Sequence, residues 1–316
     1  MEIQVREARK EDFMDIVEIH CSDVEKWYRY IGNKKVEAHY EELTPFEKWL
    51  HGGPWMDPET IKLHFEILKE SGGKAFVAVI EDKVVGEAEI VFSKEPEPYG
   101  KYCYLEVLVV HKNYRRCGIG TKLVRYCLEY AKKLGYKLFD VIPEDERAKR
   151  LYLKLGFRKM FDLCKMKKRC EIGEENLTFR EVSPRKHPGE MLLISGHWYP
   201  STYIWQNILR IQDYNKFEGF NLRKPWFFEI YNSEKFGLLA FQTHFTKPSL
   251  CIVYIWVKPW IIDHLLEQIA ENITYRAWEL GFYEVFVEID ENNISSFKAA
   301  GYEETERVEY LRKYLI

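Results

Sequence analysis

Residues 104–120, Tyr-Leu-Glu-Val-Leu-Val-Val-His-Lys-Asn-Tyr-Arg-Arg-Cys-Gly-Ile-Gly, constrain this chain more than any other stretch. The part through Val110 is apolar and rich in β-branched residues, the pattern of a buried strand. The part after it, Arg115-x-x-Gly118-x-Gly120, leads into apolar residues at Ile119, Leu123, Cys127, Ala131 and Leu134, which is a helical period. A strand, a basic glycine turn and a helix start together make an anion site. The first turn of a helix has N–H groups without intrahelical partners, and the macrodipole adds positive charge there. Glycine lets a phosphate approach the backbone with no Cβ in the way.

A chain of 316 residues is long enough for two domains, and 46% apolar with 16% aromatic residues supplies their cores. The net charge of −3, with basic residues scattered rather than striped, argues against a nucleic-acid partner. The N-terminal residues lack a signal-peptide core, and no apolar run is long enough to span a bilayer. A cytoplasmic protein without a membrane partner is therefore expected. The seven cysteines show no C-x-x-C spacing, so reduced thiols are expected, with no disulfide framework and no metal site.

Taken in order, residues 3–7 alternate as a short strand, and Asp12 opens a helix with Phe13, Ile16, Val17 and His20 on one side. The long segment 27–73 has helical stretches and a break at 51–59. There Asp57 and Pro58 begin a helix that carries Ile61, His64, Phe65 and Leu68. Strands at 75–80 and 84–92 flank the turn Glu81-Asp82-Lys83, and 93–100 is a loop. After the glycine turn and its helix come a strand at 137–142 and a helix at 146–155, with Ala148, Leu151, Tyr152 and Leu155 on one face.

The pattern then repeats. Thr178-Phe-Arg-Glu-Val echoes Gln4-Val-Arg-Glu-Ala, and the hairpin around Gly237 echoes the one around Gly86. Residues 252–257 parallel the central strand, Leu280-Gly281-Phe282 parallels Leu134-Gly135-Tyr136, and 297–302 mirrors 152–157. Matches in one order at a nearly constant offset mark an internal repeat.

The order β-α-α-β-β-β-α-β-α-β, the glycine turn and the closing Ala148-x-x-Leu151-Tyr152-x-Lys154-x-Gly156-Phe157 together resemble the GNAT acyltransferase superfamily. The resemblance implies an α/β fold with a mixed sheet, in two tandem GNAT-like domains. Residues 1–168 would be the catalytic domain, 169–176 a charged linker, and 177–316 a degenerate domain. Approximately at the Gly118 and Gly120 positions the second repeat carries His264 and Leu266, and Phe297 replaces Tyr152.

The implied function is N-acetyl transfer from acetyl-CoA to a primary amine by direct attack, without a metal; the alternative is a non-catalytic acyl-CoA-binding or regulatory module. Such transfer requires a held thioester, a stabilised oxyanion, a deprotonated amine and a protonated leaving thiolate. By resemblance, Arg115, Arg116, Cys117, Gly118, Ile119, Gly120 and Thr121 would hold the pyrophosphate. The backbones of Leu108, Val109 and Val110 would hold pantetheine and the acyl group. Asp145 stands where the family often has an Asn that contacts the cofactor arm. Tyr152 is the implied proton donor to the thiolate.

Glu106 and Tyr104 are the candidates for removing the ammonium proton, and Glu87 and Glu89 are alternatives. Alternation puts Tyr104, Glu106 and Leu108 on one strand face. A carboxylate in an apolar strand can have its pKa raised towards the working range of a base. Trp27, Tyr28, Tyr30, Tyr40, His51 and Trp55 fall where the family builds its acceptor site. Whether the acceptor is a small molecule or a protein amine is open, as is the oligomeric state.

Overall fold

Thirteen strands form one mixed sheet in the computed structural model, which describes residues 2–32, 34–173 and 175–315, leaving out the side chains of 262–264. The first half runs β1 (Gln4–Glu7), α1 (Phe13–Cys21), β2 (Tyr28–Ile31), β3 (Lys34–Glu37), α2 (Pro45–Trp49), α3 (Thr60–Glu70), β4 (Lys74–Ile80), β5 (Lys83–Lys94), β6 (Lys101–Val110), α4 (Ile119–Lys133), β7 (Leu138–Val141), α5 (Glu146–Lys154) and β8 (Arg158–Arg169). The second runs β9 (Thr178–Val182), β10 (Leu192–Ser195), α6 (Ser201–Arg210), β11 (Trp226–Asn232), β12 (Glu234–Thr243), β13 (Leu250–Val257), α7 (Ile262–Glu279), β14 (Glu284–Asp290), α8 (Ile294–Ala299) and β15 (Glu303–Tyr314). Among the described residues, no helix is long and apolar enough to cross a membrane.

The strand order is β1-β4-β5-β6-β7-β15-β8-β14-β10-β13-β12-β11-β9. Apart from β10 it reads as a palindrome of the repeat: β1, β4, β5, β6 and β7 on one side answer β9, β11, β12, β13 and β14 on the other. At the centre the last strands are exchanged. β15 pairs with β7 of the first half, and β8 pairs with β14 of the second. The linker therefore separates the halves in sequence but not in the sheet. Asp140 on β7 and Arg312 on β15 lock this crossing by two hydrogen bonds of 2.8 and 2.7 Å. Arg312 also donates to the carbonyls of Pro98 and Tyr99, and Tyr310 to Asp140 at 2.9 Å.

Two glycines show the repeat at atomic scale. Gly86 pairs with Val110 and Gly237 with Val257. A Cβ at Gly86 would lie 3.1 Å from the Val109 carbonyl, and one at Gly237 would lie 3.0 Å from the Trp256 carbonyl. Only glycine fits either place without a shift.

The apolar period of α4 is satisfied on one face of the first-half sheet, where Ile119, Leu123, Val124 and Cys127 meet Phe76, Ala88, Cys103 and Leu105. On the opposite face, α1 and α3 bring Ile16, Val17, Ile19 and Ile61 onto Val77, Val79 and Val84. Residues 28–37, inside a stretch with a helical pattern, instead form the β2–β3 hairpin, a separate two-stranded sheet. Its strands are four residues each with no buried residue, so no alternation of buried residues announces them.

β6 pairs with β5 as far as Val110 but with β7 only over Tyr102–Tyr104. Beyond Tyr104 the two parallel strands part, and one edge of β6 has no partner strand among the described residues. The equivalent gap exists between β13 and β14, which pair only over Leu250–Ile252. There it is closed by β10, antiparallel to β13, with Ser195 opposite Ile289 of β14. All four β10 residues are buried.

Candidate active site

A bulge decides what β6 presents. Val107 pairs with Glu89 and Leu105 with Ile90, leaving Glu106 as the extra residue. Its effect is to reverse the phase of the strand. Tyr104 lies in the core cluster with Phe161 and Tyr310, whereas Leu108 packs on the α4 side. The shared face expected for Tyr104, Glu106 and Leu108 is thus corrected: unbroken alternation fails across the bulge. The His111 N–H bonds to the Val85 carbonyl at 3.0 Å. By the two-residue period of an antiparallel ladder, Val109 directs its backbone groups to β5, while Leu108 and Val110 direct theirs into the gap. Val109 therefore offers the gap no backbone group. The Val110 carbonyl already accepts from Arg115 Nε at 2.9 Å, leaving Leu108 and the Val110 N–H.

The gap leads to the start of α4. Gly118 is its N-cap, with φ +82° and open space where a Cβ would stand. Among the described residues no side chain caps this end, so the first-turn N–H groups of Ile119, Gly120 and Thr121 remain available to an anion. The Ile119 side chain itself is core. Arg116 is exposed, adopts φ +66° and makes no ion pair among the described residues. Arg115 differs: it bonds Val110 and pairs with Asp23, so it braces the turn instead of pointing a free charge at a ligand. Cys117 is exposed on the turn, its thiol against the Arg115 carbonyl at 3.6 Å. Asp145 caps α5, accepting from the Ala148 N–H at 2.7 Å, and that bond lowers its pKa. Where an Asn amide would donate to a cofactor, this carboxylate serves the helix.

Tyr152 on α5 is buried in the α4-side cluster and packs on Phe157 at 5.6 Å between rings. Burial pushes its phenol pKa up, so it stays protonated at neutral pH. Tyr104 donates to the Trp198 carbonyl at 2.7 Å, which commits its proton to a bond between the halves. Its phenol is pushed up first by burial, then by nearby Tyr199, Glu106 and Tyr152.

On the face opposite Tyr152 lies a cluster that sequence reasoning saw only in pieces. Glu87 and Glu89 project from β5, Glu106 from the bulge, His20 from α1 and His64 from α3. Trp55 donates to Glu89 Oε1 at 2.7 Å, and His64 Nε2 donates to Glu89 Oε2 at 2.7 Å. Burial alone would raise the Glu89 pKa; His64 and the indole outweigh it, so Glu89 is ionised. Glu87 is pushed well above the carboxylate range by burial and by the charge of Glu89. His20 is pushed down to about 4, also by burial. The 2.9 Å contact of Glu87 Oε2 with His20 Nε2 is therefore a neutral pair, with the carboxyl donating. Glu106 is raised by burial and by Glu89, and Tyr203 from α6 turns its hydroxyl towards it and pulls it partly back.

Tyr203 comes from the second half, whose α6 region packs Tyr203, Ile211 and Tyr214 on Leu63, Ile67 and Leu68 of α3. No local signal could have placed it beside Glu106. The paired acids Glu87-x-Glu89 inside an apolar strand, with His20 and His64 on apolar helix faces, were the legible trace of the rest. Of the aromatic segment, Trp55 reaches the cluster, stacking on His20 at 5.2 Å. Trp27, Tyr28, Tyr40 and His51 pack on one another, and Tyr30 is exposed. Leu266 of the second half is core, and the side chain of His264 lies outside the described residues.

Residues 36–157 match the acetyltransferase (GNAT) family. Over 128 residues the chain is 34% identical to N-acetyltransferase 8B of Rattus norvegicus, covering 37% of this chain and 57% of that protein. It is 35% identical over 94 residues to N-acetyltransferase 8 of Homo sapiens, covering 29% of this chain and 41% of that one. The chain thus spans about half the length of these curated relatives. Among solved structures, a GCN5-related N-acetyltransferase from Anabaena variabilis aligns with 100% of this chain and 73% of its own, at a TM-score of 0.64 and 11% identity. A tandem GNAT protein from the clavulanic acid biosynthesis pathway, determined without AcCoA, aligns with 100% and 99%, at 0.54 and 13% identity. At such identities the likeness is one of fold, and it extends over both halves.

Proposed function

We propose that this chain, whose residues 36–157 match the acetyltransferase (GNAT) family, is an N-acetyltransferase moving the acetyl group of acetyl-CoA to a primary amine. The observation that carries the reading is the open edge of β6. It runs between a phenol on one face of the sheet and a carboxylate cluster on the other, and it ends at an uncapped helix N-terminus.

In this reading the pyrophosphate sits on the first-turn N–H groups of α4, and the pantetheine lies along Leu108 and Val110. The thioester then reaches the bulge. Glu106, which keeps one buried oxygen without a partner, takes the proton from the ammonium, directly or through a water. The free amine attacks the carbonyl carbon, the C–N bond forms, and the C–S bond breaks as the oxyanion collapses. Tyr152 gives its proton to the departing thiolate, and the second proton of the attacking nitrogen, released as the amide forms, passes through water to restore the Tyr152 phenol. Acid and base on opposite faces suit a tetrahedral intermediate in which the attacking nitrogen and the leaving sulfur are separate substituents of one carbon, each needing its own proton-transfer group. The second half takes no acetyl-CoA, since β10 occupies its gap, and it contributes Tyr203 to the acceptor wall. Seven free thiols support a reducing, cytoplasmic setting.

The test is a panel of amines, small and peptidic, incubated with acetyl-CoA and read by mass for free CoA and acetylated product. Amine-dependent release of CoA is expected. Tight acetyl-CoA binding with no product from any amine would favour a non-catalytic acyl-CoA-binding module instead.

A further inference from the structure

Two oxygens in the acidic cluster lack a hydrogen-bond partner among the described residues. Glu87 Oε1 belongs to a side chain with 0% exposure, and Glu106 Oε2 is buried at the bulge. Unpaired buried polar atoms are rare and point to something that would satisfy them. The Glu87 carboxyl abuts that of Glu89. His64, Glu89 and Glu106 each offer one ligand atom, and the three atoms lie within 4.8 Å of one another. One imidazole nitrogen and two carboxylate oxygens can hold an ion at about 2.0–2.2 Å if the 2.7 Å contact of His64 with Glu89 opens slightly and the wider separations close. This donor set suits a divalent first-row transition metal. The surroundings also suit a metal centre. The Trp55 N–H holds the second oxygen of Glu89, and His20 holds the second oxygen of Glu87. Such outer partners fix the orientation of ligating carboxylates.

We propose that His64, Glu89 and Glu106 bind one divalent transition-metal ion, with the unpartnered oxygen of Glu87 beside it. The donors are His and Glu, so the site departs from the metal-free protein that cysteine spacing leads one to expect. When the ion is bound, Glu106 is a ligand and cannot take a proton. The metal is then an inhibitor of acetyl transfer, a consequence that rests on the proposed role of Glu106; the binding itself does not.

The experiment titrates Co²⁺ into the metal-stripped full-length chain, without acetyl-CoA or amine, by calorimetry and absorption. One ion per chain is expected, with weak visible bands and no near-ultraviolet thiolate band. Glu89→Gln should weaken binding by roughly a hundredfold or more, beyond the 10–100-fold typical of lost outer partners. If that variant fails to fold, Glu106→Gln, at the less buried position, should do the same. Absence of saturable binding, a thiolate band, or unchanged affinity in the folded variants would overturn the site. In a second arm, Co²⁺ should suppress turnover of the wild type and a chelator should restore it. Binding that is lost in the variants but leaves turnover untouched would uphold the site and refute Glu106 as the base.

Discussion

Glu106 owes its position to one extra residue in β6. Had the strand alternated without interruption, Leu108 would share the face of Glu106; the bulge instead leaves Glu106 near His64 and Tyr203 and sends Leu108 to the α4 side. Its raised pKa has two consequences of opposite sign. An ordinary Glu titrates near about 4.3. Above that pH the folded chain holds a proton at Glu106 that the unfolded chain has lost. The stability this lends is therefore complete below about 4.3 and is lost as pH rises through the folded pKa. In the proposed mechanism Glu106 acts in its ionised form, so turnover should rise over the same interval. Glu106→Gln should lower turnover at neutral pH, recover partly at high pH where more amine is neutral, and flatten the fall in stability. A pH–rate profile with an unshifted lower limb and near-normal rate would remove Glu106 from the mechanism. At Tyr152 the expected loss is larger than any packing effect, since Tyr152→Phe keeps the ring. A fall of roughly 10²–10⁴ in turnover is expected, whereas a change within about threefold would make Tyr152 a packing residue only.

At the scale of elements, the start of α4 is the feature that binding studies can isolate. At Gly118 a Cβ would meet no protein atom within 4 Å, but φ +82° strains any residue that carries one. Asn tolerates that region better than most, so Gly118→Asn is the folding control for Gly118→Glu. Acetyl-CoA at about a hundred times its dissociation constant should stabilise the wild type by about 2.7 kcal/mol. The Glu variant should lose most of that thermal shift, because its carboxylate opposes the pyrophosphate at the helix end. An unchanged shift would mean that the cofactor binds elsewhere. The contrast between the two gaps belongs here too. Parallel strands that part leave unpaired backbone groups, and each half answers that demand differently: β10 in the second, and acetyl-CoA, as proposed, in the first.

For the whole molecule, the exchanged strands make the halves one folding unit. Arg312→Met would leave the Asp140 carboxylate buried without its cation, and breaking a buried pair from one side costs about 3–5 kcal/mol. Because β15 and β8 pair along most of their length, both halves should melt earlier in a single transition. A loss confined to one of two resolved transitions would show that the halves fold independently. The plugged gap also fixes a stoichiometry. Calorimetry on the intact chain should give one acetyl-CoA, and none for Gly118→Glu. A value near two would mean that β10 yields its place to a ligand.

From the sequence alone came what depends on short spacing. The strand-turn-helix of 104–120 was legible as a candidate anion site because glycine, arginine and helical period are local properties. The repeat was legible for the same reason: Gly86 and Gly237 recur because a neighbouring carbonyl forbids a Cβ at each. Arg115, read as a phosphate ligand, turned out to brace the turn, since Asp23 lies 92 residues away and no spacing rule reaches it. The bulge at Glu106 was hidden because it depends on how β5 pairs with β6, and a one-residue slip in register reverses every later side chain. The exchange of β8 and β15, the plug formed by β10 and the arrival of Tyr203 were decided only by tertiary structure. Each is a choice among partners far apart in the chain, made by burial and hydrogen-bond closure over the whole sheet, and no local pattern records it.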